Sequence, residues 1–127
     1  MANQYKPKNI NYPGSFVTSS YLIPSMVPGD FPEFYVPTIV AGKVFRITGT
    51  LQGALAAGNT VITFQINGVN ITNGVLTFVE AGSAAGDTFT IDPTGLNSVI
   101  VGSELKGTLT GTNNSPVVCA LTVTFSY

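Results

Sequence analysis

The chain contains no histidine and no tryptophan, and one cysteine among its 127 residues. The lack of histidine removes the commonest general base near neutral pH and the commonest metal ligand. The lone Cys119 excludes an intrachain disulfide framework. Charge is scarce as well. Only 9% of residues are charged, against roughly 25% in an average soluble domain. Five Lys/Arg against six Asp/Glu leave no basic surplus for a phosphate backbone, so nucleic acid is not an expected partner. Nor is there a surplus for an electrostatic membrane anchor. No run reaches the roughly 18 apolar residues of a membrane span. Lys6 and Lys8 in MANQYKPKNINYPGS precede no apolar stretch, so no signal peptide is expected and synthesis in a cytosol-like compartment is.

What is present divides unevenly. An apolar share of 44% can bury one core, and the length fits one domain. With so little charge, the surface must be Ser, Thr, Asn and Gln, or be covered by other protein. Pro7, Pro13, Pro24, Pro28, Pro32 and Pro37 fall within the first 40 residues. So do Tyr5, Tyr12, Phe16, Tyr21, Phe31, Phe34 and Tyr35. Proline removes a donor and pushes its predecessor to extended geometry, so residues 1–40 are expected to form an extended arm. Disordered segments are poor in aromatics, so these rings need a resting place. One possibility is the chain's own sandwich and the other is a neighbouring subunit.

From residue 41 to 127 the pattern is β. In VVCALTVTFSY, Val117, Cys119, Leu121, Val123, Phe125 and Tyr127 share one face, a period of two over eleven residues. In TVITFQI, Ile62, Phe64 and Ile66 alternate, and Asn67-Gly68 then supplies a type I′ turn. A second Asn-Gly, Asn73-Gly74, precedes VLTF. KVFRITGTL (Phe45, Ile47, Leu51), DTFTI, SVIV (Val99, Val101) and ELKGTLTG complete about eight strands, with no helix. Eight short strands around one core predict a β-sandwich or barrel. Gly49 and Gly107 inside strands predict bulges or close approach.

Chemistry is thin. Cys119 lies on the apolar face of the best strand and reads as a buried small hydrophobe. Glycoside hydrolysis needs two facing carboxylates, and spacing alone leaves Glu80 with Asp87 or Asp92 open. Both aspartates stand at turns, in AAGDT and IDPTG, where Asp caps backbone donors. A calcium ion there would need six or more oxygens, mostly from loop carbonyls. Asn70-Ile71-Thr72 and Asn113-Asn114-Ser115 match the N-glycosylation pattern, by chance if the chain is not secreted. No cofactor, metal or catalytic residue is expected. A glycan-binding sandwich would need exposed aromatics, whereas Phe45, Phe64, Phe78, Phe89 and Phe125 fall on the expected core faces.

The segments ITFQINGVNITNGVLTF, SAAGDTFTIDPTGLNSVIVGSELKGTLTG and VVCALTVTFSY, in that order, carry a resemblance over residues 43–127. The chain resembles the small jelly-roll domains of tailed-bacteriophage virion proteins, namely head decoration or cement proteins and head fibres. It departs at Gly102-Ser103, where that pattern often has Gly-Asp. The resemblance implies a jelly-roll-like sandwich in a non-enzymatic virion protein that decorates or cements a capsid. It also implies a homo-oligomer, a trimer, on a major capsid or other virion protein. The arm would dock through Tyr5, Lys6, Lys8, Tyr12, Phe16, Tyr21, Phe31, Phe34 and Tyr35, and a Phe34→Ala, Tyr35→Ala pair would weaken attachment. A tail- or fibre-associated module, or one that binds glycans, is the alternative.

Overall fold

The computed structural model describes residues 15–127. Nine strands and no helix occupy these residues: β1 (Phe16–Ile23), β2 (Glu33–Val36), β3 (Gly42–Leu51), β4 (Thr60–Ile66), β5 (Val69–Phe78), β6 (Thr88–Ile91), β7 (Ser98–Val99), β8 (Leu105–Gly111) and β9 (Cys119–Ser126). They form two antiparallel sheets, ordered β1-β9-β3-β6 with the short β7 on β3, and β2-β8-β4-β5. The pairs β4–β5, β3–β6, β2–β8 and β1–β9 describe one long hairpin. Rolling it up sets β3 beside β9 and β4 beside β8, which is a jelly-roll winding of a β-sandwich. The tip of the hairpin is the expected turn. Asn67 and Gly68 take φ of +50° and +82°, as a type I′ turn requires.

The leader departs from expectation. Residues 16–36 are not an arm, because they contribute the first strand of each sheet. β1 pairs along its whole length with β9, from Phe16 opposite Ser126 to Ile23 opposite Cys119. β2 pairs with β8. The physical reason lies in where the prolines fall. Pro24 directly follows β1, and Pro32 and Pro37 bracket β2. They end strands rather than interrupt them. Both strands are also sheet edges, where a missing donor next door is tolerated. The boundary expected at residue 40 therefore does not separate an arm from a domain.

The inward faces of both sheets supply the core, which includes Ile47, Leu51, Ile62, Phe64, Leu76, Phe78, Leu105, Leu121, Val123 and Phe125. Each fully buried side chain of this kind contributes about 1.5–3 kcal/mol of transfer free energy. The two strand-interior glycines mark close approach, as expected. A Cβ on Gly49 would lie 2.5 Å from the Phe78 ring, and one on Gly107 would meet the Phe34 ring. Two pairing expectations differ in detail. VNIT and VLTF are one strand, β5, with Asn73-Gly74 in a bulge where the β4 register jumps between Thr63 and Gln65. SVIV yields only a two-residue strand, after which the chain turns at Ile100–Ser103.

Candidate functional site

Among the described residues no three His, Cys, Asp or Glu side chains converge to hold a metal. The carboxylates that spacing left open as a pair do separate work. Asp87 Oδ2 accepts from Ala84 N at 2.9 Å, the turn-capping role expected of it. Asp92 instead faces Arg46, whose Nε donates to Oδ1 at 2.7 Å and whose Nη2 donates to Oδ2 at 3.1 Å. Hydrogen bonding from that guanidinium holds the Asp92 carboxyl below its ordinary range. The stabilisation is therefore present above the usual carboxylate pKa and is lost as pH falls through the lowered one. Both side chains are about half exposed, so the effect is small.

Cys119 is buried on β9, and desolvation pushes its thiol up to about 12. We expect no alkylation of native protein by a neutral-pH thiol reagent, with full labelling once the chain is unfolded. Rapid labelling of folded protein would contradict this burial. Asn113, the first residue of a glycosylation pattern, is buried with both side-chain atoms engaged, so no glycan can be attached in the fold.

The expected docking residues scatter. Tyr5, Lys6, Lys8 and Tyr12 lie outside the described residues. Phe34 is buried in the core at 3% exposure. Tyr21 stacks on it at 4.9 Å and Phe31 at 6.2 Å, while Phe64 meets it edge-on at 6.1 Å. These rings fill the side where β1 and β2 approach one another. Tyr21 and Phe31 therefore pack, partly buried, against the core of their own sandwich, and Phe34 is part of that core. Phe16 and Tyr35 point outward, each about half exposed, and the Tyr35 hydroxyl donates to Glu33.

Two surfaces escaped the sequence reading. The first lies on the β1-β9-β3-β6 sheet. Phe45, expected in the core, is exposed and packs against Phe16 at 4.7 Å. A bulge between Val44 and Arg46 turns both Phe45 and Arg46 outward while Val44 and Ile47 stay buried. The apolar pair Val44 and Ile47, three apart where strand parity demands two or four, was the available signal. The Arg46 guanidinium lies 5.4 Å from the Phe45 ring centre. Beyond this patch the sheet face is mostly hydroxyl, with Leu22 an exposed aliphatic exception at the far end of β1. Ser20, Thr122, Thr48 and Thr90 are successive partners across all four strands. The second surface is the end of the sandwich that carries the β4–β5 tip. There Val69, Leu96, Ile100 and Val101 are exposed, and an open hollow of about 440 Å³ lies among Ile66, Asn67, Val69, Leu96 and Ser98.

No protein-family model matches the chain. No curated protein matches it either. Among solved structures it is similar to the cyanophage Pam1 capsid asymmetric unit, with a TM-score of 0.53 and 13% identity over 98% of this chain and 92% of that one. At that identity the likeness is one of fold, and it extends through the strands built from the leader.

Proposed function

We propose that the chain is a structural protein of a phage virion, a jelly-roll subunit that decorates or cements a capsid and associates with copies of itself. The observation that carries this reading is the near end-to-end fold likeness to the cyanophage capsid unit. One further feature supports it. The surface is hydroxyl and aliphatic with little charge, which suits faces meant to be covered. Because Tyr21, Phe31 and Phe34 serve the core, docking falls to residues 1–14, with Tyr5, Lys6, Lys8 and Tyr12, and to the exposed Phe16 and Tyr35. Co-sedimentation with purified capsids lacking the protein tests this. The full chain should pellet with the shells, residues 15–127 alone should bind them far less, and moderate salt should change little. A full chain left in the supernatant would overturn the shell assignment, and equal binding by the shortened chain would overturn the docking role of residues 1–14.

The Phe16–Phe45 pair favours a second reading. Exposed rings beside the Arg46–Asp92 pair and rows of hydroxyls make a surface on which a sugar ring can stack and form hydrogen bonds. Under this reading the subunit binds glycans, as on a fibre. Glycan-array binding that is lost in Phe45→Ala would select it over the first.

A further inference from the structure

Leu96 adopts a costly backbone conformation and gains little from its side chain within the subunit. Its φ is +51°, in the left-handed region where Cβ crowds the following carbonyl. Its side chain is 67% exposed. Neighbours on both sides hold it there. Thr72 N donates to Gly95 O at 2.8 Å. Val44 N donates to Asn97 O at 2.9 Å, and Asn97 Nδ2 returns a bond to Val44 O at 2.8 Å. Outliers that are over-determined in this way gather at functional positions.

The surroundings are equally rigid and equally apolar. In the turn Ile100–Ser103, Ser103 N donates to Ile100 O at 3.0 Å and Ile100 N donates to Ser103 Oγ at 2.9 Å. This turn presents Ile100 and Val101, each about two-thirds exposed, where polar residues are usual. The Thr38 hydroxyl donates to Ser103 O at 2.8 Å, which brings the exposed Ile39 to the same end. Asn67 N donates to Glu104 O and Glu104 N to Asn67 Oδ1, which ties the turn to the hollow beside Leu96. Together Ile39, Val69, Leu96, Ile100 and Val101 expose on the order of 500 Å².

We propose that this end is where a second copy of the chain docks, with Leu96 of one subunit entering the hollow beside Leu96 of the next. Knob and hollow lie side by side on one surface, so each copy presents what its neighbour needs. The aliphatic area is more than half of one partner's share, about 800 Å², of a standard interface. The rim can supply the rest. Lys43, opposite Ser98 in the β3–β7 ladder, and Lys106 and Glu104 make no ion pair among the described residues. Base and acid can therefore meet across the contact, and a net charge of -1 opposes association little. Preformed geometry keeps the ordering cost low. This names a surface for the self-association proposed above, but it rests on the geometry of this end and not on shell binding.

Sedimentation velocity of the full chain over a micromolar concentration series tests it. Leu96→Asn is the telling substitution, because asparagine accepts the left-handed backbone. It should leave a folded, cooperatively melting subunit and weaken association by at least about tenfold. Val101→Asp should weaken it comparably. An oligomer that both substitutions dissociate supports the surface even if capsids do not bind. A chain that is monomeric at about 100 µM, or an oligomer that neither substitution moves, overturns it. So does an oligomer that responds only to substitutions within residues 1–14, since that places the contact on the N-terminal segment.

Discussion

Phe34→Ala is expected to cost the folded subunit about 3–5 kcal/mol, the range for emptying a buried phenylalanine site that cannot collapse. Collapse is hindered on every side. The ring is clasped by Tyr21 and Phe31 from the leader and by Phe64, which meets it edge-on from β4 of the same sheet across Gly107. Its floor is Gly107, whose missing Cβ is what lets the ring lie against β8. An equilibrium denaturation curve should show the midpoint falling with the slope unchanged. A loss under about 1 kcal/mol would mean that the ring is not seated as described. Gly107→Ala attacks the same contact from the other side and should cost about 1–3 kcal/mol by overpacking. The two changes share one contact, so they should not add. The double variant should be less destabilised than the sum of the singles, because the alanine methyl then enters space that the ring has left. Any loss of capsid attachment in Phe34→Ala would therefore have to be separated from loss of the fold.

That residue also shows where sequence reading stopped. Proline density in the leader suggests an arm when residues are weighed by composition. Weighed by position, Pro24, Pro32 and Pro37 are punctuation, and between them FVTSSYLI alternates inward and outward like any edge strand. Features set by short-range chemistry were legible. Asn67-Gly68 can hardly be anything but the hairpin tip, the β4 and β9 alternation marks buried faces, and Gly49 and Gly107 mark close approach. Features set by tertiary clamps were not. Thr94-Gly95-Leu96-Asn97 offers a glycine and an asparagine, both better suited to positive φ than leucine. Pairing of Gly95 with Thr72 and of Asn97 with Val44 nevertheless leaves that conformation to Leu96. The exposure of Phe45 likewise follows from one extra residue in β3, which reverses strand parity halfway along. The two surface features on which the proposals rest, the aromatic patch and the apolar end, thus both arise where the local rule is overridden.

Asn113→Ala should be nearly as damaging as Phe34→Ala, at about 2–4 kcal/mol, although it removes little apolar surface. Asn113 is 3% exposed and fills all four hydrogen-bonding positions of its amide. Nδ2 donates to Met26 O at 3.0 Å and to Ser115 O at 2.9 Å, while Oδ1 accepts from Ala56 N at 3.0 Å and Ser115 N at 3.1 Å. Two carbonyls on one side and two N–H groups on the other allow only one orientation of the amide. It thereby joins the β1–β2, β3–β4 and β8–β9 loops. Alanine leaves these backbone groups without that partner, although Thr60 Oγ1 still donates to Met26 O. Asn113→Asp keeps the shape and sharpens the test. Its carboxylate would set a negative oxygen against the carbonyls of Met26 and Ser115, and burial adds to the penalty, so its folded pKa should rise above the unfolded value near 3.9. Protonation restores one donor. The deficit relative to the parent chain should be smallest below about pH 4 and grow as pH rises toward 7. Denaturation curves across that interval decide the matter, because a deficit that stays flat with pH would mean that the two carbonyls do not face that atom.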